Sequence, residues 1–180
     1  MAKTIEIRRH SLRRPPAQHL TQQGVTLARR VGVAMGPFNR VVTSTAPRAF
    51  ETAIAMGFAV DEQAELISAY GDAIDELLPY PQTFAEYQQM REHPVVSKYL
   101  QKLSLFYREL VVSVPEGGSA LVVNHGGIVE MSAIACTPEA DYGVFGPQVE
   151  YCEGVSMTWE NGGFRMVEVL RIKLDRELVS

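Results

Sequence analysis

Short alternating or wholly apolar runs and longer stretches of helical periodicity follow one another along the chain. Thr4 to Arg8, Thr-Ile-Glu-Ile-Arg, alternates and is β-branched, which predicts a first strand ending at Arg9-His10. A helix is predicted from Leu20-Thr21 to about Met35, with Thr21 as N-cap, Leu20 and Val25 spaced as a hydrophobic staple, and Gly36-Pro37 as the stop. Arg40 to Thr43 reads as a second strand that delivers Ser44 and Thr45, and Pro47 opens a helix to about Gly57, since proline is tolerated in a first turn. Asp61 to Glu92 holds eight acids, one arginine and the breakers Pro79 and Pro81, and reads as a loop-rich excursion with a short helix from Thr83. After Pro94, Val96, Tyr99, Leu100, Leu103, Phe106, Tyr107 and Leu110 recur at helical spacing and predict a long core-facing helix to about Val114.

Pro115 to Gly118 then makes a turn, and the continuous apolar run Ala120 to Val123 suits a buried parallel strand. Gly126-Gly127 lead into a helix through Ile134, and Val155–Trp159 with Phe164–Lys173 form a hairpin around Asn161-Gly162-Gly163. No repeat, low-complexity tract or linker interrupts this order, so residues 1–180 are expected to form a single domain. Strands alternating with helices predict an α/β fold, a three-layer sandwich whose mostly parallel central sheet is flanked by helices.

The composition, 46% hydrophobic and 21% charged, is that of an ordinary globular chain. Its longest apolar stretch, Ala53 to Val60, contains a glycine and falls far short of the ~20 residues of a membrane span. The first residues lack an apolar run with a cleavage site, and a cytoplasmic location is expected, with no membrane partner. Cys136 and Cys152 show no Cys-x-x-Cys spacing, so both are expected to be reduced, Cys136 buried, and neither to bind zinc. Charge changes the picture more. Residues 1–48 hold nine Lys/Arg against Glu6 alone, a net +8, while the remaining residues carry a net −12 that hides this inside an overall −4. Arg29, Arg30 and Arg40 read as solvated helix-surface or strand-end charges. No nucleic-acid partner is expected, because the arginines are divided between strand ends and helices, no stacking aromatics are interleaved, and the chain as a whole is acidic.

In open α/β sheets, ligands bind beyond the carboxyl ends of the strands, where helix N-termini also face anions. Here the first strand delivers Arg9-His10, the second Ser44-Thr45 with Arg48 in the next turn, and the third Asn124-His125-Gly126-Gly127. Two histidines and two arginines are thereby aimed at one place. Guanidinium forks match the oxygens of a phosphate dianion, and a neutral imidazole can attack phosphorus to form a covalent intermediate. Neighbouring cations depress the imidazole pKa and keep the ring nucleophilic. His19 and His93, in a pre-helix loop and beside Pro94, are set aside as structural or surface residues.

These residues resemble the motifs of the histidine phosphatase superfamily, and in particular its phosphoglycerate mutase-like branch. Ile7-Arg8-Arg9-His10 matches the strand ending in Arg-His-Gly, and Leu20-Thr21-Gln22-Gln23-Gly24 the Leu-Thr-x-x-Gly helix start. Thr43 to Ala53 matches the Ser-Ser-Pro-x-x-Arg-Ala-x-x-Thr-Ala segment, and Val122 to Gly127 the second-histidine motif. The resemblance implies a phosphoglycerate mutase-like fold, His10 as the phosphorylated nucleophile, and Arg9, Arg48 and His125 as the groups that hold the transferring phosphoryl group.

The chain departs from the pattern in three places. Ser11 replaces a glycine and is expected either to crowd the ligand or to offer it a donor. Arg13, followed by Pro15, is similar to the arginine of the phytase-like branch and is expected, with Ser11 and Ser44, among the substrate contacts. The branch's proton-donating glutamate, two residues after a leucine, is replaced by Ser68 after Leu66. Asp72 is the first substitute, ahead of Glu65, Asp75 and Glu76. A leaving alkoxide gains ~10²–10⁴ in rate from a placed proton donor, whereas an imidazole or aryl oxygen needs less help.

The expected function is a phosphohydrolase acting on phosphate monoesters, either a small phosphometabolite or a phosphorylated protein side chain, through phospho-His10. No metal or cofactor is expected, since arginines and His125 supply the electrostatic stabilisation. A phosphomutase sharing the same intermediate and a catalytically impaired phosphate-binding module are the alternatives.

Overall fold

A computed structural model describes residues 1–172 and assembles six strands into one sheet. In chain order the strands are β1 (Lys3–Arg9), β2 (Arg40–Ser44), β3 (Glu62–Ala64), β4 (Ser119–Asn124), β5 (Gly154–Glu160) and β6 (Gly163–Leu170). Their order across the sheet is β3-β2-β4-β1-β5-β6, and the first four are parallel while β5 and β6 continue antiparallel. The helices are α1 (Gln22–Gly32), α2 (Pro47–Ala55), α3 (Asp72–Leu77), α4 (Phe84–Gln89), α5 (Pro94–Ser113) and α6 (Ile128–Cys136).

The apolar run of β4 shows why the sheet needs two covers. Ala120 and Val122 point with Ile5, Ile7 and Val42 into a cluster shared with α3, α4, α5 and α6. Leu121 and Val123 point the other way, with Val41, onto Ala49 and Ala53 of α2. A strand buried on both faces has no polar alternation to keep, so it reads as a continuous apolar stretch. The predicted stripe of α5 lies against the sheet: Val96, Leu103 and Tyr107 are buried, and Phe106 packs at the edge of the same cluster. The three-layer α/β sandwich is thus the observed architecture.

Several elements differ from expectation. Thr21 does cap α1, accepting from the Gly24 N–H at 3.0 Å, but the helix stops at Gly32 instead of Met35. The N–H groups of Ala34 and Met35 reach back only three residues, to Val31 and Gly32, so the last turn tightens before the Gly36-Pro37 stop. The acidic middle section contains three unforeseen elements: β3, a single 3-10 turn at Glu65–Ile67, and α3. β3 is a short polar edge strand and α3 buries only Ile74, so neither carries a periodic signal. α4 does begin at Thr83, whose hydroxyl and Glu86 form a reciprocal capping box. The hairpin turns on Asn161 and Gly162, with φ of 54° and 78°, the pair of left-handed residues that a two-residue turn demands. Its second strand ends at Leu170, and Lys173 lies outside the described residues. Of the cysteines, Cys152 is the buried one; Cys136, the last residue of α6, is half-buried because it stands at a helix end.

Among the described residues, no helix is long and apolar enough to cross a membrane.

Candidate active site

A cavity of about 240 Å³ opens at the carboxyl ends of β1, β2 and β4, and its walls bring together Arg9, His10, Arg13, Arg48 and His125. Parallel register does most of this work. β1 and β4 pair Arg9 with Asn124, so the residues that follow both strands emerge side by side. The His10 N–H donates to the Asn124 carbonyl at 2.8 Å, which extends the ladder one residue and fixes the ring's starting point.

The His10 ring has a defined tautomer. Nδ1 lies 2.7 Å from the Ser11 carbonyl, which can only accept, so Nδ1 carries the proton and Nε2 keeps its lone pair. The Arg48 Nε–H points at that lone pair from 3.3 Å. Burial pushes the His10 pKa down to about 2, and the charges of Arg48 and Arg9 and the neighbouring His125 add to the effect, against the raising influence of the Ser11 bond. The ring is neutral throughout the physiological range.

His125 is arranged in the opposite sense. Its Nε2 lies 2.8 Å from Ser44 Oγ, and that hydroxyl already accepts from the Ala46 N–H at 3.4 Å. Among the described residues Nε2 is the acceptor placed to take the Ser44 proton, which leaves the His125 proton on Nδ1. This Nδ1 is buried and has no protein partner among the described residues. Burial, then Arg48, Arg13 and Arg9, lower the pKa to about 3. The two imidazoles lie 5.2 Å apart, one offering a lone pair and the other an unclaimed N–H.

Arg9 is held by its face and by its edge. Its guanidinium carbon sits 4.3 Å from the Tyr151 ring centroid and 5.4 Å from that of Tyr80, while Nη1 donates to the Val149 carbonyl at 2.9 Å. Arg48 Nη1 donates to Gln18, and Arg13 Nη1 to the Ala17 carbonyl at 3.1 Å.

Two of the sequence-predicted contacts face away from the cavity. Ser11 is fully buried, its N–H donating to Thr52 Oγ1 at 2.9 Å and its hydroxyl to the Gly24 carbonyl at 2.7 Å. It does not line the cavity, and both of its donors are taken by protein acceptors, so it neither crowds a ligand nor offers it a donor. Ser44 is equally buried, behind His125, and orients that ring instead of touching substrate.

Nor does Asp72 line the cavity. It stands exposed at the first position of α3, and the helical turn that follows brings Asp75 to the wall. Glu65 accepts from Thr45 Oγ1 at 2.8 Å, and neither it nor Glu76 is a lining residue. Ser68, in the place of the expected glutamate, does line the cavity, and its hydroxyl accepts from the Thr45 N–H at 3.0 Å. His19 and His93 lie elsewhere, His19 against Glu51.

Sequence reasoning missed Tyr70, Tyr80, Tyr151 and Glu130. The tyrosines lie in loops without periodicity, and nothing local marks them. Glu130 is fully buried, its oxygens accepting from the Gly127 and Val149 N–H groups, each at 2.7 Å. Burial raises its pKa, and these two bonds work against that rise. A capping pattern, Gly127 followed three residues later by Glu130, was the available signal. Among the described residues, no three His, Cys, Asp or Glu side chains are grouped to hold a metal ion.

No family model matches the chain, and neither does any curated protein sequence. Solved structures do. "Mycobacterial hydrolase 2" is 19% identical with a TM-score of 0.72, covering 98% of this chain and 94% of its own. Phosphoserine phosphatase from Entamoeba histolytica, solved with 3-phosphoglyceric acid, is 14% identical with a TM-score of 0.69, covering 95% and 98%. Phosphoglycerate mutase from Bacillus anthracis is 14% identical with a TM-score of 0.65, covering 93% and 92%. The chain has the phosphoglycerate mutase-like fold, as its motifs imply.

Proposed function

We propose that the protein is a phosphatase that hydrolyses phosphate monoesters through a phosphoryl group carried on His10 Nε2. The observation that carries this reading is the His10 tautomer: a buried neutral imidazole, pinned through Nδ1 to the Ser11 carbonyl, whose Nε2 keeps its lone pair beside Arg48 in a cavity walled by arginines. An anion site alone has no use for a lone pair.

The reaction runs in two displacements. The Nε2 lone pair attacks phosphorus as the bond to the leaving oxygen breaks, while Arg9, Arg48 and His125 hold the equatorial oxygens. Asp75, the one carboxyl among the described lining residues, protonates the leaving oxygen in this scheme. Water then attacks the phosphohistidine, the N–P bond breaks, and inorganic phosphate leaves with neutral His10 restored. A phosphomutase would differ only in the second acceptor. No resident metal takes part in this scheme, and a phosphorylated molecule is its partner. Because the cations of the basic N-terminal quarter that reach the cavity converge on one point, they suit a single phosphate more than a nucleic-acid backbone. The unpaired Cys136 and Cys152 suit a reducing compartment such as the cytoplasm.

The test is hydrolysis of p-nitrophenyl phosphate in the presence of a chelator, comparing wild type with His10→Ala. Turnover that survives the chelator and is lost in the variant is expected. A folded wild-type protein that binds vanadate without turnover would make this a phosphate-binding module instead.

A further inference from the structure

Much of the cavity wall beyond the basic groups is aromatic. Tyr70, Tyr80 and Tyr151 line it together with Ala69 and Ile128, and Tyr151 stands 5.7 Å from the His10 ring. Tyr70 and Tyr80 are seated on the backbone of the second-histidine motif. A Cβ on Gly126 would come within 2.7 Å of Tyr80, and one on Gly127 within 2.9 Å of Tyr70 and 2.8 Å of the Tyr87 hydroxyl. The aromatic wall and His125 are thus one packed unit, with Tyr80 and Tyr151 further fixed by the Arg9 guanidinium.

The acid side of the site is correspondingly thin. Asp75 is the one carboxyl among the described lining residues, and it is exposed. The buried carboxyl nearby, Glu130, is committed to two backbone N–H groups. Ser68 offers a hydroxyl in the remaining place. A site with poor acid assistance favours a leaving group that departs as a stable anion, and an aromatic wall favours a flat, apolar one. A phenolate is both.

From this juxtaposition we infer that the substrate class is the aryl phosphate monoester, of which a phosphotyrosyl side chain and a small aryl phosphate are the two sources. This rests on the phosphatase reading and narrows it. The phosphoryl group sits among Arg9, Arg48 and His125, and the aryl ring lies against Tyr70 and Tyr80. His10 Nε2 bonds to phosphorus as the aryl C–O oxygen takes the bonding pair and leaves as phenolate, protonated afterwards by solvent or Asp75.

The experiment compares kcat/KM for phenyl phosphate, phosphotyrosine and a phosphotyrosyl peptide with that for phosphoserine, glycerol 3-phosphate and 3-phosphoglycerate, in wild type and Tyr70→Leu. Aryl esters are expected to exceed alkyl esters by at least 100-fold, the low end of what a placed acid contributes. Tyr70→Leu is expected to narrow that ratio by about 2–10-fold, the size of an aromatic pair contact, with inhibition by inorganic phosphate retained as the check on folding. A peptide turned over faster than phenyl phosphate identifies the protein side chain as the source, and the reverse order a small aryl phosphate; either supports the class. Alkyl esters turned over within tenfold of aryl esters, or a ratio unmoved by Tyr70→Leu, overturn this inference and leave the phosphatase standing. Absence of turnover with every ester overturns both.

Discussion

Ser44 Oγ and His125 Nε2 lie 2.8 Å apart between two buried residues, and this contact anchors the ring of the second histidine at the cavity wall. It also makes an ordinary strand-end serine a positioning residue for the chemistry. Ser44→Ala removes the proton directed at Nε2 and lets His125 take either tautomer. The expected result is a fall in kcat of about tenfold with KM little changed, about 1.4 kcal/mol of transition-state stabilisation, partly recovered in Ser44→Thr. An equal loss in both variants would mean that the hydroxyl matters only for packing.

Glu130 ties together the turn after His125 and the loop at Val149 that holds the Arg9 guanidinium. One oxygen holds the Gly127 N–H, and the other holds the N–H of Val149, whose carbonyl accepts from Arg9. Glu130→Gln presents an amide N–H to one of these donors, so a stability loss of about 1–3 kcal/mol is expected in urea unfolding. Rescue of turnover by added guanidinium in Arg9→Ala but not in Glu130→Gln would separate the loss of a cation from the misplacement of two loops.

The two histidines also make a pH statement. Their folded pKa values, about 2 and about 3, lie below the unfolded reference near ~6.5. The unfolded chain therefore binds two protons that the folded chain refuses. Stability is full above pH 6.5 and falls as pH drops from there toward 3, by about 1.4 kcal/mol per pH unit for each histidine. Chemical unfolding at pH 7 and pH 5 should show this loss in wild type and much less of it in His10→Gln/His125→Gln. Turnover should show no acid limb from His10 between pH 7 and pH 5.

Ser11 departs from the motif without reaching the ligand. Ser11→Ala leaves the Gly24 carbonyl without its donor and is expected to cost about 1 kcal/mol in stability. Because the hydroxyl points at α1, kcat should stay within about twofold of wild type. A tenfold loss would show that the hydroxyl acts in the cavity.

Much of this architecture was legible in the chain. The β4 run and the α5 stripe announced a sheet covered on both faces, and the strand ends announced which basic groups would meet. What stayed hidden has physical reasons. β3 is held by edge pairing, not by a buried face, so its Glu-Gln-Ala sequence has no pattern to read. Tyr70 and Tyr80 arrive from a loop whose course is set by distant packing against Gly126 and Gly127. The sequence order Asp72 ahead of Asp75 is reversed because α3 starts at Asp72, and one turn of helix brings Asp75 to the wall. The orientation of Ser11 and Ser44 depends on Gly24 and His125, partners remote in sequence.

The most direct test of the account is to mix enzyme with an aryl phosphate, quench within milliseconds, and map the phosphoryl group by mass spectrometry at neutral to alkaline pH. The account predicts an acid-labile, base-stable phosphoryl group on His10, absent in His10→Ala and longer-lived in variants that slow the attack of water. A phosphoryl group on another residue, or turnover that proceeds in His10→Ala, would contradict it.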